Sequence, residues 1–128
     1  MLLDTHVVIR WLSAPRKLSR EQSRLLDEAI RHGERIGVSA ITFLEIALLA
    51  EGHKPIAGLH ELLDQLDTNP AFKIFPLASD IAQEVAALGD LLRDPADRVI
   101  VATARIHRLR LLTSDQRIVQ SNLVPCVE

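Results

Sequence analysis

Hydrophobic and polar positions form two kinds of segment along this chain. Short, mostly apolar runs occur at residues 1–3, 36–38 and 109–113, and each run predicts a buried strand. Longer segments, with apolar residues three and four positions apart, lie between these runs and predict amphipathic helices. Strands that alternate with helices predict an α/β fold in which helices cover both faces of a parallel sheet.

Capping residues predict where several helices begin. Thr5, Ser19 and Ser79 are predicted N-caps because each hydroxyl-bearing residue precedes a helical pattern. Asp94 precedes a proline and starts another helix, which places Asp97 in its first turn. Further helices are predicted at residues 40–50, 56–66 and about 116–120, with a turn at 52–55.

Two more strands and one unusual helix complete the prediction. Residues 72–77 alternate in polarity, and Pro76 indicates an edge strand, while residues 123–127 predict a last strand. The helix at 40–50 is apolar nearly all round, which indicates burial in the core or in an interface. Glu45 lies in its middle, and an ionised carboxylate among apolar neighbours is expected to need a positive partner.

Composition limits the class of protein. The 128 residues, 48% of them hydrophobic, predict one globular domain over residues 1–128. The single cysteine, Cys126, excludes an internal disulfide or a thiolate metal site and is typical of a reducing compartment. No run approaches the roughly 18 apolar residues of a membrane span. We therefore expect a cytoplasmic protein without a membrane segment.

The charge distribution restricts how a polyanion can bind. The net charge of -2 gives no overall attraction to nucleic acid, and 3% aromatic residues argue against recognition by base stacking. Basic residues are nevertheless clustered, and they either face solvent or hold a polyanion locally. They are Arg16, Lys17, Arg20 and Arg24 in one cluster, and Arg105, Arg108, Arg110 and Arg117 in the other.

Carboxylates occupy corresponding places in the predicted fold. Asp4 and Asp115 end strands, Asp97 lies in the first turn of a helix, and Glu45 lies in a helix that follows a strand. Because strand ends and helix starts share one edge of a doubly wound sheet, we expect these acids to converge. Oxygen ligands without a Cys or His pattern suit Mg²⁺ or Mn²⁺. Such a site is typical of metal-assisted phosphodiester hydrolysis.

Each acid also has a structural interpretation. Glu45 can end a Thr-x-x-Glu capping box that starts at Thr42, although Ala40 and Ile41 before it already fit the helix. Asp94 can cap a helix whose dipole Asp97 complements, Asp115 can be another cap, and Asp4 can form an Asx turn. Their joint placement at one edge favours function over these separate explanations. The roles of two neighbouring residues are also open. His6 either contacts substrate or is a polar neighbour of Asp4, and Arg98 pairs either with Asp94 or with a site carboxylate or phosphate.

Four segments in this order resemble the PIN-domain family, and within it the VapC-type ribonuclease toxins of toxin-antitoxin pairs. The segments are Leu-Leu-Asp-Thr-His-Val at 2–7, Val-Ser-Ala-Ile-Thr-Phe-Leu-Glu-Ile-Ala at 38–47, Arg-Asp-Pro-Ala-Asp-Arg at 93–98 with Ile-Val-Ala-Thr-Ala at 100–104, and Leu-Leu-Thr-Ser-Asp at 111–115. The resemblance implies a three-layer α/β/α fold with a five-stranded parallel sheet in the order 3-2-1-4-5.

The resemblance also implies a site and partners. It implies that Asp4, Glu45, Asp97 and Asp115 hold Mg²⁺ or Mn²⁺ and position the attacking water, with Asp94 as an auxiliary acid. It further implies a homodimer and a cognate antitoxin whose tail covers the acidic site. The leading hypothesis is a metal-dependent endoribonuclease that uses metal-activated water and leaves a 5′-phosphate and a 3′-hydroxyl on RNA.

Two alternatives remain beside this hypothesis. The first is a catalytically silent PIN-like binding module that acts through a protein partner, and it need not bind metal at all. The second is a phosphatase of the haloacid-dehalogenase kind with Asp4 as nucleophile. That chemistry usually requires a second aspartate two positions further on, where this chain has His6.

Overall fold

A five-stranded parallel sheet forms the centre of the computed structural model, which describes residues 1–51 and 58–128. The strand order is β3-β2-β1-β4-β5, which confirms the predicted topology. The edge position of β3 is also as predicted, whereas the predicted turn at 52–55 lies outside the described residues. The strands are β1 (Leu2–Leu3), β2 (Ile36–Ser39), β3 (Phe72–Phe75), β4 (Leu111–Leu112) and β5 (Cys126–Val127).

Helices connect the strands on both sides of the sheet. In the described ranges they are α1 (Thr5–Ser13), α2 (Arg20–Arg31), α3 (Ile41–Glu51), α4 (Leu59–Thr68), α5 (Ser79–Ala87), α6 (Pro95–Ile106) and α7 (Gln116–Ser121), with a short 3₁₀ turn at Pro15–Lys17. None of the helices in these ranges is long and apolar enough to cross a membrane.

Two hydrophobic cores lie on opposite faces of the sheet. Leu3 faces the first core, which buries the apolar faces of α1, α2 and α4. Leu2 faces the second core, which buries those of α5, α6 and α7. Successive strand residues point to opposite faces, so two adjacent leucines reach both cores. The central strand is therefore buried on both sides, as its apolar sequence predicts.

The register aligns the carboxyl ends of the strands. The Asp4 amide donates to Leu112 O at 3.0 Å, and the Thr113 amide donates to Val127 O at 3.0 Å. The residues that follow β1 and β4 are therefore neighbours at one edge of the sheet. Asp4, the N-cap of α1, directly follows β1, and Asp115, the N-cap of α7, follows β4 after Thr113 and Ser114.

Two of the predicted helix caps are wrong. Asp4, not Thr5, is the N-cap of α1, since Asp4 has extended backbone angles and its carboxylate accepts from the Thr5 amide. Ser79 is the first residue of α5, and the preceding cap, Ala78, makes no side-chain hydrogen bond. The caps at Ser19 and Asp94 are confirmed, because each side chain accepts a backbone N–H of its own helix.

Helix α3 is less buried than its composition suggests. Ile46 is fully buried, but Leu44, Leu48 and Leu49 are 52%, 53% and 49% exposed. Burial in the core therefore accounts for only one side of this helix. Its outer leucines form an apolar surface of the kind that covers an interface.

Candidate metal centre at the carboxyl edge of the sheet

The five predicted site carboxylates lie close together where β1, β2 and β4 end. We refer to them as the acidic edge: Asp4, Glu45, Asp94, Asp97 and Asp115. Asp4, Asp94 and Asp115 are the N-caps of α1, α6 and α7. Each cap holds its carboxylate at a helix N-terminus, where the backbone amides and the helix dipole favour negative charge.

Asp4 is buried and fixed by several donors. It is 4% exposed, and its Oδ1 accepts from the Thr5 amide at 2.8 Å. Its Oδ2 accepts from the Thr113 hydroxyl at 2.6 Å and lies 3.2 Å from His6 Nδ1. Hydrogen bonds to a buried carboxylate offset part of its desolvation. Asp4 is therefore held in one orientation.

The hydroxyl of Thr113 connects two acids of the acidic edge. Thr113 is fully buried, and its hydroxyl donates to Asp4 while accepting from the Asp115 amide at 3.0 Å. Both hydrogen-bonding directions of the hydroxyl are used. This single side chain therefore connects Asp4, which follows β1, with Asp115, the N-cap of α7.

His6 orients Asp4 and is held in turn by the loop after β4. The Ser114 amide donates to His6 Nε2 at 3.0 Å, so Nε2 carries no proton in this arrangement. The ring proton of the neutral imidazole is then on Nδ1, which faces Asp4 at 3.2 Å. The predicted proximity of His6 to Asp4 is confirmed, and both ring nitrogens have partners within the protein.

Glu45 is hydrogen-bonded to a threonine hydroxyl, although the sequence predicted a positively charged partner. Its Oε1 accepts from the Thr5 hydroxyl at 2.5 Å, and Thr5 Oγ1 lies 3.0 Å from Thr42 Oγ1. Because the Thr5 proton points to Glu45, the Thr42 hydroxyl must donate to Thr5. Burial raises the pKa of Glu45, and the charges of Asp4 and Asp94 add to this shift. The expected ion pair is therefore not what holds this carboxylate.

Asp97 is the most strongly perturbed acid of the site. It is 9% exposed, and burial together with the charges of Asp94, Asp4 and Asp115 raises its pKa to about 7. Asp94 is close because its Oδ1 accepts from the Asp97 amide at 3.0 Å. Like charges raise the pKa of a carboxyl group because they disfavour its ionised form. The acidic edge therefore holds more carboxylates than are readily ionised together.

Arg117 contacts two acids of the acidic edge, Asp115 and Asp97. Its backbone amide and Nε donate to Asp115 Oδ1 at 2.9 Å and 3.1 Å, and its Nη2 donates to Asp115 Oδ2 at 2.7 Å. The same Nη2 lies 3.7 Å from Asp97 Oδ2. These hydrogen bonds lower the pKa of Asp115 below its usual value.

The sequence analysis missed several of these contacts. No local pattern predicts the hydrogen bonds of Thr113 or Thr42 to residues remote in sequence, whereas the Asp-x-Arg spacing of Asp115 and Arg117 is a local signal for their contact. Neither open interpretation of Arg98 is what the structure shows, since its Nη2 donates to Val85 O at 2.8 Å. Arg98 therefore connects α6 to α5, and within the described residues it forms no ion pair with the acids.

The donor set fits a hard divalent cation. Within residues 1–51 and 58–128, no three acid, histidine or cysteine side chains are gathered closely enough to hold an ion together. Mg²⁺ is commonly bound through one or two carboxylates and keeps several waters, so it does not require such a closed set. Burial first, and the charges of neighbouring acids after it, raise the pKa values of Asp97 and Glu45, so carboxylates lie close together here. Carboxylate oxygens crowded in this way fit Mg²⁺ or Mn²⁺.

Two cavities flank the acidic edge. One has a volume of about 400 Å³ and lies between α3 and the start of α6, with Glu45 and Asp94 in its wall beside Leu44 and Leu48. The other has a volume of about 250 Å³, and Asp94, Asp97 and Arg117 are among the residues that line it. The acids are therefore accessible from two sides, one of them mostly apolar.

Comparison with known proteins places this geometry in a family context. The family model described as PIN domain matches residues 1–122. Ribonuclease VapC22 of Mycobacterium tuberculosis (strain ATCC 25618 / H37Rv) is 36% identical over 124 residues, covering 92% of this chain and 88% of that protein.

Solved structures agree with this match. FitAcB from Neisseria gonorrhoeae superposes with a TM-score of 0.73 at 25% identity, over 99% of this chain and 96% of that chain. VapBC2 from Rickettsia felis, bound to a DNA fragment from its promoter, has a TM-score of 0.75 at 14% identity, over 98% of this chain and 96% of that chain. The second likeness concerns the fold alone.

Proposed function

This chain belongs to the PIN domain family, and from that premise we propose that it is the ribonuclease toxin of a toxin-antitoxin pair. It hydrolyses phosphodiester bonds of RNA and requires Mg²⁺ or Mn²⁺ for this reaction. The support is the relative named as a ribonuclease, which resembles this chain over most of its length, together with the acids at one edge of the sheet.

The observation that carries the proposal is the convergence of acids around Asp97. This carboxyl group is buried close to three other acids, and burial together with their charges raises its pKa to about 7. The charges of Asp94, Asp4 and Asp115 contribute to that shift after burial itself. A surface that served folding alone would gain stability by replacing one of these acids, since crowded like charges are unfavourable. The crowding is explained when a divalent cation is part of the working site.

We assign the acids as follows. Asp4, Glu45, Asp97 and Asp115 would hold the ion and position the attacking water, and Asp94, which caps α6, would be an auxiliary acid. A bound divalent ion lowers the pKa of water and stabilises the negative charge that develops on the phosphate. The chain keeps its carboxylates in place through Thr113, His6 and the threonine pair beside Glu45, so little reorganisation is needed during the reaction.

The partner we propose is an antitoxin protein that covers the acidic edge. Leu44, Leu48 and Leu49 are about half exposed and border the cavity that contains Glu45 and Asp94. An apolar surface that reaches the acids suits a partner which binds by hydrophobic contact and blocks RNA at the same time.

We also propose a homodimer, and activity in the cytoplasm, where the RNA substrate is found.

The proposal is tested by RNA cleavage with the purified chain. Metal-free protein with EDTA should leave a labelled RNA intact, and added Mg²⁺ or Mn²⁺ should restore cleavage to products with 5′-phosphate and 3′-hydroxyl ends. Asp4→Asn should abolish cleavage, because it removes one carboxylate charge but keeps an oxygen that can accept from the Thr5 amide.

A matched control separates this effect from a general loss of acid. Asp27→Asn removes an exposed aspartate of α2 and should cleave like the wild type. Circular dichroism should show that both variants are folded. Undiminished metal-dependent cleavage by Asp4→Asn would refute the assignment.

The silent binding module remains the second candidate. It is favoured by one observation, namely that no three potential ligands in the described part of the chain are gathered for one ion. Calorimetric titration of metal-free protein with MnCl₂ distinguishes the two candidates. A saturable site supports the nuclease, and its absence together with absent cleavage supports the module.

A further inference from the structure

Arg117 lies at the position where the acidic edge most needs positive charge. Its Nη2 contacts both Asp115 Oδ2, at 2.7 Å, and Asp97 Oδ2, at 3.7 Å. Both oxygens of Asp115 accept hydrogen bonds from this one side chain. Arg117 therefore occupies carboxylate oxygens that the proposed function assigns to a divalent ion.

Helix stability does not explain an arginine at this place. Arg117 is the second residue of α7 (Gln116–Ser121), and Gln116 separates it from the cap Asp115. A cation near a helix N-terminus is unfavourable because the amide groups there carry partial positive charge. The side chain is 74% exposed, so apolar packing does not hold it either. The contacts that remain to explain its position are those with the two acids.

We propose that Arg117 is an internal counter-cation that occupies the acidic edge when no divalent ion is bound and competes with that ion for Asp115 and Asp97. The inference rests on the proposed function, because it presumes that a divalent ion binds there. A guanidinium group stays charged throughout the physiological pH range, so it gives up these acids by moving and not by losing a proton. Its exposure leaves it free to swing outward.

The matched control is another arginine that bridges two acids. Arg24 on α2 contacts Glu21 at 2.5 Å and Glu28 at 2.7 Å, and it is 52% exposed. Its acids lie outside the acidic edge. Removing either arginine breaks two ion pairs of an exposed side chain, but only Arg117 touches the proposed metal ligands.

The test is calorimetric titration of the metal-free full chain with MnCl₂. Arg117→Gln should bind Mn²⁺ roughly three- to fivefold more tightly than the wild type, in keeping with the modest strength of exposed ion pairs. Arg24→Gln should bind like the wild type. The advantage of Arg117→Gln should shrink at high NaCl concentration, since salt screens exposed ion pairs.

Each outcome distinguishes this inference from the proposed function. If the wild type shows no saturable Mn²⁺ site, the proposed function fails. The proposed competition between Arg117 and the ion then fails as well. If the wild type saturates but Arg117→Gln binds no more tightly, the competition alone is overturned. If Arg117→Gln does not fold, Arg117→Lys decides, because it keeps the charge but loses the two-pronged contact and should bind Mn²⁺ with intermediate affinity.

Discussion

The two edges of the parallel sheet carry opposite charges. The carboxyl ends of the strands hold the acidic edge, while the amino ends of β4 and β5 border a cavity of about 510 Å³ whose walls include Arg105, Arg108 and Arg110. That cavity is about twice the volume of the one beside Asp97, which is about 250 Å³. Yet its arginines are partly exposed, and Arg105 is engaged by Glu84 at 2.7 Å and Leu123 O at 2.6 Å.

The arginines at the amino ends of the strands have a structural role, whereas the acids at the carboxyl ends have features of a reactive site. Arg105 connects α6 to α5 and to the segment before β5, so its interactions account for its presence. At the acidic edge, burial and like charge raise the pKa of Asp97 and Glu45, which is unfavourable for folding. Buried acids with raised pKa values that lie together in this way are typical of functional sites.

The largest expected effect is the loss of activity in Asp97→Asn. We expect RNA cleavage to fall by at least about a hundredfold, since changes to groups that merely support metal ligands already reduce metal affinity or activity by about 10- to 100-fold. Glu84→Gln at the opposite edge is the control and should cleave within about twofold of the wild type. Both variants are compared with the wild type by their cleavage rates under saturating Mg²⁺. Equal losses of activity in the two variants would contradict the assignment of the reaction to the acidic edge.

Thr113→Val should produce the next largest effect. The substitution keeps the shape but removes the hydroxyl that connects Asp4 and Asp115, so we expect about a 10- to 100-fold loss in Mn²⁺ affinity. We also expect the free energy of unfolding to fall by about 1–3 kcal/mol, because the Asp115 amide and an Asp4 oxygen lose a buried partner.

Thr103→Val is the control for this substitution. Thr103 is equally buried, but its hydroxyl donates to Val99 O of its own helix at 2.7 Å. Its Mn²⁺ affinity should match that of the wild type by calorimetry. If both variants lose affinity alike, the hydroxyl of Thr113 has no special role at the acidic edge.

The pH dependence of stability should reveal the raised pKa of Asp97. Folding raises this pKa from 3.8 to about 7, so the folded state binds more protons than the unfolded state between these values. The contribution of Asp97 to stability is therefore complete below about pH 4 and lost as the pH rises through about 7. Asp97→Asn removes this pH-dependent contribution to the free energy of unfolding.

Denaturant unfolding of metal-free protein measures the effect. The free energy of unfolding of Asp97→Asn, minus that of the wild type, should increase by the order of 1 kcal/mol between pH 4 and pH 7 and then level off. Added Mn²⁺ should stabilise the wild type more than the variant. A difference that stays constant with pH would show that Asp97 is ionised normally in the folded chain.

The smallest effect is expected at the arginine edge. With Arg108→Gln and Arg110→Gln combined, cleavage and the salt dependence of RNA binding should stay unchanged if this edge does not contact RNA. Binding is measured by fluorescence anisotropy in an Asp4→Asn background, which prevents cleavage. Each lost phosphate contact would reduce the slope of log affinity against log salt concentration by about 0.7. A smaller slope in the double variant would therefore show that RNA contacts the arginine edge as well as the acidic edge.

Much of this architecture follows from local patterns in the sequence. The order of strands and helices, the edge position of β3, and the placement of Asp4, Asp97 and Asp115 at strand ends or helix starts are recognisable from periodicity and capping alone. The two wrong caps have different causes. At the start of α1, Asp4 and Thr5 are adjacent polar residues that can each accept a backbone N–H, and the backbone angles select Asp4. At the start of α5, the helix begins at Ser79 itself, and the preceding Ala78 has no side chain that could cap it.

The sequence by itself determined which residues are acids and which edge of the sheet they reach, because both depend on local order along the chain. Only the tertiary structure decided their partners. Thr113 meets Asp4 across 109 positions, and Thr5 meets Glu45 across 40, through contacts that exist only once the strands pair in register. Hydrogen bonds and pKa values depend on distances of a few ångströms, and those distances are set by packing between segments that are remote in sequence.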